Sequence, residues 1–236
     1  MNLSPWGPVA VVGRLGGGHR NEVLEVWRGC ERLVARRSRR SEASLEWELE
    51  LMGFLGDHGF IVPEVVLTDA GRPQVDGMVV QRWLPGRPPT TSDWPSVATE
   101  LTRLHELTAD YPRRPGFLST SDLLMAERGG DVDLTAMPPE AVAACRAAWT
   151  ALEGPHAVVH GDPCAANVRV SEAGIGLLDW DEARVDHPDL DLADLPGVEL
   201  AEPRGRIARA AVDAWEAAAG WLLEPEYARR RLAALG

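Results

Sequence analysis

Apolar and polar positions follow two different rhythms along this chain. Residues 9–15 (VAVVGRL) and 22–28 (EVLEVWR) read as two short strands joined by the glycine-rich connection 16–21. Residues 32–37 (RLVARR) read as a third strand. Over 42–56 the apolar residues Leu45, Leu49, Met52 and Leu55 fall at helical spacing, with Glu46, Glu48 and Glu50 between them. HGFIVPEVVLTD (58–69) leads from a loop into a strand, and MVVQRWLPG (78–86) predicts another strand, stopped by Pro85-Gly86. The helical period then takes over. Val97, Leu101, Leu104 and Thr108 share one face of a helix over 96–108, residues 140–152 predict another, and 206–223 and 225–235 are candidates for two more. Short apolar runs lie within HAVVHGDPCAANVRV (156–170) and GIGLLDWDEARV (174–185). A strand-rich part, residues 1–84, thus precedes a helix-rich part, residues 85–236, with the boundary near Leu84–Gly86.

Composition narrows the classes. A hydrophobic fraction of 45% supports a sizeable core, yet no apolar run approaches the roughly 18 residues of a membrane span. The N-terminal MNLSPWGPVAVV has neither a basic region nor an apolar one, so no secretory signal is expected. Cys30, Cys145 and Cys164 are odd in number and widely spaced, which argues against a disulfide framework or a zinc site and for a reducing cytoplasm. All 24 basic residues are arginine, so any task usually given to lysine falls to arginine. The net charge of −12 is uneven. Residues 1–82 carry 11 acids and 10 arginines, whereas 83–236 carry 25 acids and 14 arginines. Such an acidic half repels nucleic acid and anionic membrane and attracts cations.

The candidate chemistry lies in Asp162, Asn167 and Asp179. Asp162 follows a His-Gly turn after a strand, Asn167 comes five residues later, and Asp179 closes the next apolar run. A hard cation such as Mg²⁺ takes oxygen ligands, few of them from protein when phosphates supply the rest. Asn167 and Asp179 at the ends of two short strands suit that task, while Asp162, off the metal, suits the orientation and deprotonation of a hydroxyl. Phosphoryl transfer asks for this division of labour.

The run HGDPCAANV, GLLDWDEA and DHPDLDLAD resembles the catalytic and metal loops of the aminoglycoside phosphotransferase family, which includes choline-kinase-like enzymes and has the protein-kinase fold. The resemblance implies an α+β, bilobal fold: an N-terminal lobe (1–84) of a small antiparallel sheet with one helix, and a helix-rich catalytic and acceptor-binding lobe (85–236). It implies Asp162 as the catalytic base or hydroxyl-orienting residue, Asn167 and Asp179 as magnesium ligands, and Asp191 as a brace of the catalytic loop. Upstream, Gly16, Gly17 and Gly18 would cover the phosphates, where a missing Cβ lets backbone N–H groups approach. Arg36 stands where the family has a lysine on the α/β-phosphates, and Glu48 would hold it by an ion pair. In QRWLPG, a hinge-like segment, the backbone of Arg82 and Leu84 would meet the base. The implied co-substrate is ATP or GTP with Mg²⁺, and the second partner is a small-molecule hydroxyl acceptor, cationic by the acidity of the C-terminal half. Aminosugar antibiotics, as in resistance enzymes, are one such class. Nucleic acid and membrane are not expected partners, and the chain is expected as monomer or dimer.

Other features carry plainer expectations. His160 is expected to shape its loop, Cys164 to fill space, Trp180 to pack where protein kinases place a phenylalanine, and Asp181 is either a loop support or solvated. Asp186, His187, Asp189, Asp191 and Asp194 predict a solvated acidic loop with one structural aspartate, in a segment (171–202) of ten acids and one arginine. Two alternatives remain. One is a nucleotide-binding pseudokinase or regulatory module, favoured by Arg36 and a short C-terminal part. The other is a metal-dependent hydrolase built on His160, Asp162 and His187. No D-F-G or A-P-E segment supports a protein kinase.

Overall fold

The computed structural model describes residues 1–16 and 22–235. Along the chain run β1 (Ala10–Arg14), β2 (Glu22–Arg28), β3 (Glu31–Arg37), α1 (Glu42–Asp57), β4 (Val65–Val66) and β5 (Met78–Arg82). Then come α2 (Trp94–Leu107), β6 (Arg128–Gly129), β7 (Val132–Asp133), α3 (Pro139–Thr150), β8 (Ala157–Val159), β9 (Val168–Ser171) and β10 (Gly174–Leu177). The chain ends with β11 (Arg184–Asp186), α4 (Asp189–Leu192), α5 (Arg204–Gly220) and α6 (Pro225–Ala233). The class is α+β. The residues group into two compact units, 1–89 with 164–181 and 90–163 with 182–236.

In the first unit β1, β2, β3, β5 and β4 form, in that order, one antiparallel sheet. The period of two gives the sheet two distinct faces. Leu33 and Ala35 on β3, with Met78 and Val80 on β5, pack with Trp6, whose indole N–H donates to the Val66 carbonyl at 2.8 Å. The alternate residues face α1, where Leu45 and Leu49 cover Val79. Arg36 opposes Val79 across the strands, so the same alternation turns Arg36 toward α1. Ser41 caps α1 by accepting the Ser44 N–H.

Residues 164–181 join this unit although a single cut near residue 84 would separate them. The β9–β10 ribbon is tied to it by backbone bonds, Arg87 with Val170 in both directions (3.0 and 2.8 Å) and Leu177 N–H to Ile61 at 2.9 Å. Packing closes the joint. A Cβ on Gly176 would come within 2.7 Å of Leu84 Cδ2 and 3.2 Å of Ile61 Cγ2, so glycine is what lets the ribbon approach.

In the second unit α3 packs on α5 through Cys145 and Trp149 against Ala211, Ala214 and Ala218. The alanines let the helices approach closely, and the Trp149 indole donates to the Ala211 carbonyl at 3.2 Å. Arg184 lies 3.3 Å over the Trp215 ring. The β6–β7 hairpin and the short α4 are not visible in the sequence pattern, being too short to show a period. Among the described residues no helix is long and apolar enough to cross a membrane.

The packing predicts that Leu33→Ala, which empties a fully buried position, lowers unfolding free energy by about 2–5 kcal/mol. Val12→Ala, on a strand position that is 61% exposed, should stay within about 0.5 kcal/mol. Chemical denaturation of the two variants checks both values.

Candidate active site

Arg36 leaves β3 on the face that α1 covers, and burial leaves it 5% exposed. A charge taken out of water must be matched. Glu48 lies on the buried stripe of α1 with Leu45, Leu49 and Met52, whereas Glu46 and Glu50 are exposed. Arg36 Nη2 donates to Glu48 Oε1, joining strand and helix. Arg36 Nη1 lies 3.5 Å from Asp181 Oδ1 and 3.9 Å from Asp179 Oδ1. Burial works against this charge, but Glu48, Asp179 and Asp181 outweigh it and hold the Arg36 pKa above the ordinary arginine value.

Asp179 follows β10. The register sets Leu177 opposite Val168, and the Leu178 N–H donates to the Asn167 carbonyl at 2.8 Å, so Asn167 and Asp179 stand at the same end of the ribbon. Asp179 has φ 56, a left-handed conformation that costs ordinary side chains about 1–2 kcal/mol and that aspartate adopts more readily than most. Its side chain is 46% exposed. Two oxygen donors, one anionic and one amide, fit a hard divalent cation that draws its remaining ligands from phosphate and water. Among the described residues no group of three or more His, Cys, Asp or Glu could hold a metal ion.

At the edge of the sheet, Gly16 is an exposed bend where an added Cβ would meet nothing within 4 Å. Gly17 and Gly18 lie outside the described residues. In the hinge-like segment the Arg82 N–H donates to the Glu64 carbonyl at 2.8 Å, and its guanidinium pairs with Glu31 and Glu64. Only its carbonyl is left for the role expected of the Arg82 backbone. Leu84 makes no backbone hydrogen bond among the described residues. Its side chain covers Gly176.

The second unit builds the turn that carries Asp162. Gly161 has φ +91, and a Cβ there would come within 2.6 Å of the Glu182 carbonyl oxygen, so no other residue fits. Asp191 braces the turn, as expected. It accepts the His160 N–H on Oδ2 (2.7 Å) and the Gly161 N–H on Oδ1 (2.9 Å), while His105 Nε2 lies 2.9 Å from Oδ2. Burial alone would raise the Asp191 pKa. The His105 hydrogen bond and charge, the His160 charge and the Gly161 N–H outweigh that and hold it below the usual carboxylate range. His160 is fully buried, and its Nδ1 faces the Asp162 N–H at 3.4 Å, a loop-shaping position. Asp162 itself is partly exposed.

The loop over 186–191 is not solvated. Asp186 accepts from Thr120 (N–H 3.1 Å, Oγ1 2.7 Å) and from Arg184 Nε at 2.9 Å, Asp189 pairs with Arg204, and all three of Asp186, Asp189 and Asp191 are buried. Only Asp194 of the aspartates in 186–194 is exposed, and it pairs with Arg231 at 2.6 Å. Both ring nitrogens of His187 are engaged, one with the Glu153 carbonyl (2.7 Å) and one facing the Asp189 N–H (3.3 Å), which leaves neither for a hydrolase metal. Cys164 is exposed rather than space-filling. Trp180 is buried, with its indole N–H on the Leu177 carbonyl. The sequence reading missed His105 and Arg40. Both are recognised only by partners far along the chain, Asp191 and Asp181.

Comparison with known proteins adds to this geometry. The family described as "Phosphotransferase enzyme family" matches residues 11–232. No curated protein matches the chain. A choline kinase from Streptococcus pneumoniae has a similar fold, with TM-score 0.65 and 14% identity over 96% of this chain and 92% of that one. An amicoumacin kinase in complex with AMP-PNP, Ca²⁺ and Ami gives TM-score 0.62 and 19% identity over 95% and 79%. A thermostable mutant of an aminoglycoside phosphotransferase, in ternary complex with ADP and hygromycin B, gives 0.63 and 14% over 98% and 94%.

The Asp191 brace has a pH signature. A carboxylate with a depressed folded pKa contributes stability that is fully present above its unfolded pKa, about 4, and lost as pH falls through the folded value. Asp191→Asn should therefore be less stable than wild type at neutral pH, and the gap should close as pH falls below about 4. Unfolding free energies measured between pH 7 and pH 2 test this; a gap independent of pH would contradict it.

Proposed function

The chain belongs to the phosphotransferase enzyme family, and from that premise we propose that it moves the γ-phosphate of ATP or GTP to a hydroxyl of a small, amine-bearing acceptor. The observation that carries this reading is the contrast within one short segment. Asp181, Asp186, Asp189 and Asp191 are all buried, while Asp179 alone of these five stands exposed, in a left-handed backbone, at the ribbon end it shares with Asn167. A carboxylate is kept open there at a conformational cost, which a ligand would justify.

In this reading Asp162 orients the acceptor hydroxyl and takes its proton as the oxygen attacks phosphorus. Asn167 and Asp179 would hold Mg²⁺, which when bound supplies charge neutralisation for the phosphate oxygens. Arg36, fixed by Glu48, would contact the nucleotide phosphates in place of a lysine. Packing gives no reason for glycine at Gly16, and close approach of a phosphate would give one, shared with Gly17 and Gly18. The Arg82 carbonyl and the Leu84 backbone would meet the base edge.

The acidity of residues 171–202 does not itself argue for a cationic acceptor, because its aspartates are largely consumed by internal partners. Support for an amine-bearing acceptor comes instead from the likeness in fold to a choline kinase and an aminoglycoside phosphotransferase. A second reading, a nucleotide-binding module without transfer, draws on Arg36, whose fork is already shared among three carboxylates.

The two readings part at Asp162. A mass-spectrometric screen of amine-bearing, neutral and anionic alcohols with ATP or GTP and Mg²⁺ should find a phosphorylated product among the amine-bearing ones. Asp162→Ala should lower that rate at least about 10²-fold with the melting temperature retained. Phosphorylation confined to neutral or anionic acceptors would overturn the acceptor class, and no loss in Asp162→Ala would overturn its catalytic role.

A further inference from the structure

Arg40 lies beyond β3 and just before the cap of α1, and nothing in its surroundings in the sequence (RRSRRS) sets it apart from Arg37 and Arg39. In the structure two nitrogens of its guanidinium meet the same carboxylate oxygen. Nε and Nη2 both approach Asp181 Oδ2, at 3.1 and 2.6 Å. Asp181 is 4% exposed, and its other oxygen lies 3.5 Å from Arg36 Nη1. Arg36 in turn serves Glu48 and lies 3.9 Å from Asp179. Two guanidinium groups therefore meet at Asp181, and how they share it bears on where Arg36 points.

A buried carboxylate left short of partners is costly, and a planar guanidinium binds best when both its arms meet one carboxylate. Without Arg40, Asp181 would satisfy itself by drawing in Arg36, which is already within 3.5 Å. That rotation would commit wholly to Asp181 the arm of Arg36, Nη1, that Asp181 and Asp179 now share. A lysine at this position has a single compact charge, so this competition is a consequence of having arginine there. Arg40 limits the competition to Oδ1 of Asp181 by taking Oδ2 with two of its own nitrogens.

We propose that Arg40, acting through Asp181, is a positioning residue that keeps Arg36 directed toward the nucleotide phosphates. The inference rests on the reading of Arg36 and Asp179 given above. Arg40 touches no reacting atom in it, and its effect passes entirely through the orientation of Arg36.

The test is equilibrium binding by the full chain, which needs no acceptor. The probes are AMP-PNP and GMP-PNP with Mg²⁺, and the matching nucleosides, adenosine and guanosine, which have no phosphates. Arg40→Gln should weaken the preferred Mg²⁺-nucleotide at least about tenfold, the scale of one charge-assisted contact, and leave its nucleoside unchanged. Arg40→Gln combined with Asp181→Asn should restore nucleotide binding, because the carboxylate that captures Arg36 is gone. Arg40→Lys, which keeps the charge, should fall between wild type and Arg40→Gln and serves if the glutamine variant fails to fold. Equal weakening of nucleotide and nucleoside, or no restoration in the double variant, would overturn the proposal and leave Arg40 a purely structural residue. If Arg36→Ala leaves nucleotide affinity unchanged, or wild type binds neither nucleotide, the underlying reading fails and this inference with it. If Arg36→Ala weakens binding while Arg40→Gln and Arg40→Lys do not, this inference alone fails.

Discussion

Arg36 carries a permanent positive charge into a place where 5% of the residue remains exposed, and a buried charge has to be matched. Much of the first unit's arrangement follows from that constraint. The alternation of β3 sends Arg36 under α1, so the helix must present an acid on its buried stripe, and Glu48 is that acid. The β9–β10 ribbon then brings Asp179 and Asp181 to the other arm of the guanidinium. One of these is buried and held by Arg40, and the other is left open. Sheet, helix and ribbon are thus joined at a single side chain, beside a carboxylate, Asp179, that stays open.

The second unit solves a parallel problem with the opposite sign. Asp191 is a buried anion, and it is satisfied by two consecutive backbone N–H groups and one imidazole. Because those N–H groups belong to His160 and Gly161, the conformation of the chain immediately before Asp162 is set by an aspartate about thirty residues away. Gly161 makes the same turn possible from the steric side. A rigid turn ending in a partly exposed carboxylate suits a group that must meet a substrate hydroxyl without moving.

Local patterns carried much of this but not all. The helix over 42–56 is legible because apolar residues repeat there near the helical period, and the strand over 22–28 because β-branched and aromatic residues follow a glycine-rich connection, whereas Glu48 is set apart from Glu46 and Glu50 only by the resemblance. The Asp162, Asn167 and Asp179 spacing was legible as a resemblance. The burial of Asp186, Asp189 and Asp191 is not legible in the sequence, because their partners, Thr120, Arg204 and His105, lie elsewhere in the chain and composition cannot reveal a pairing. The same limit hid Arg40, whose partner Asp181 is 141 residues away. Two-residue strands such as β6 and β7 leave no periodic trace at all.

In the proposed function Asn167 and Asp179 hold a cation that Arg36 helps present with a nucleoside triphosphate. The most direct measurement is the thermal shift of the purified protein with ATP and with GTP, each with and without Mg²⁺. A ligand at one hundred times its dissociation constant stabilises a fold by about 2.7 kcal/mol, which is readily seen. The expected result is a shift with one or both nucleotides that depends on Mg²⁺ and is lost in Asp179→Ala. No shift at millimolar nucleotide, or one indifferent to Mg²⁺ and to Asp179, would contradict it.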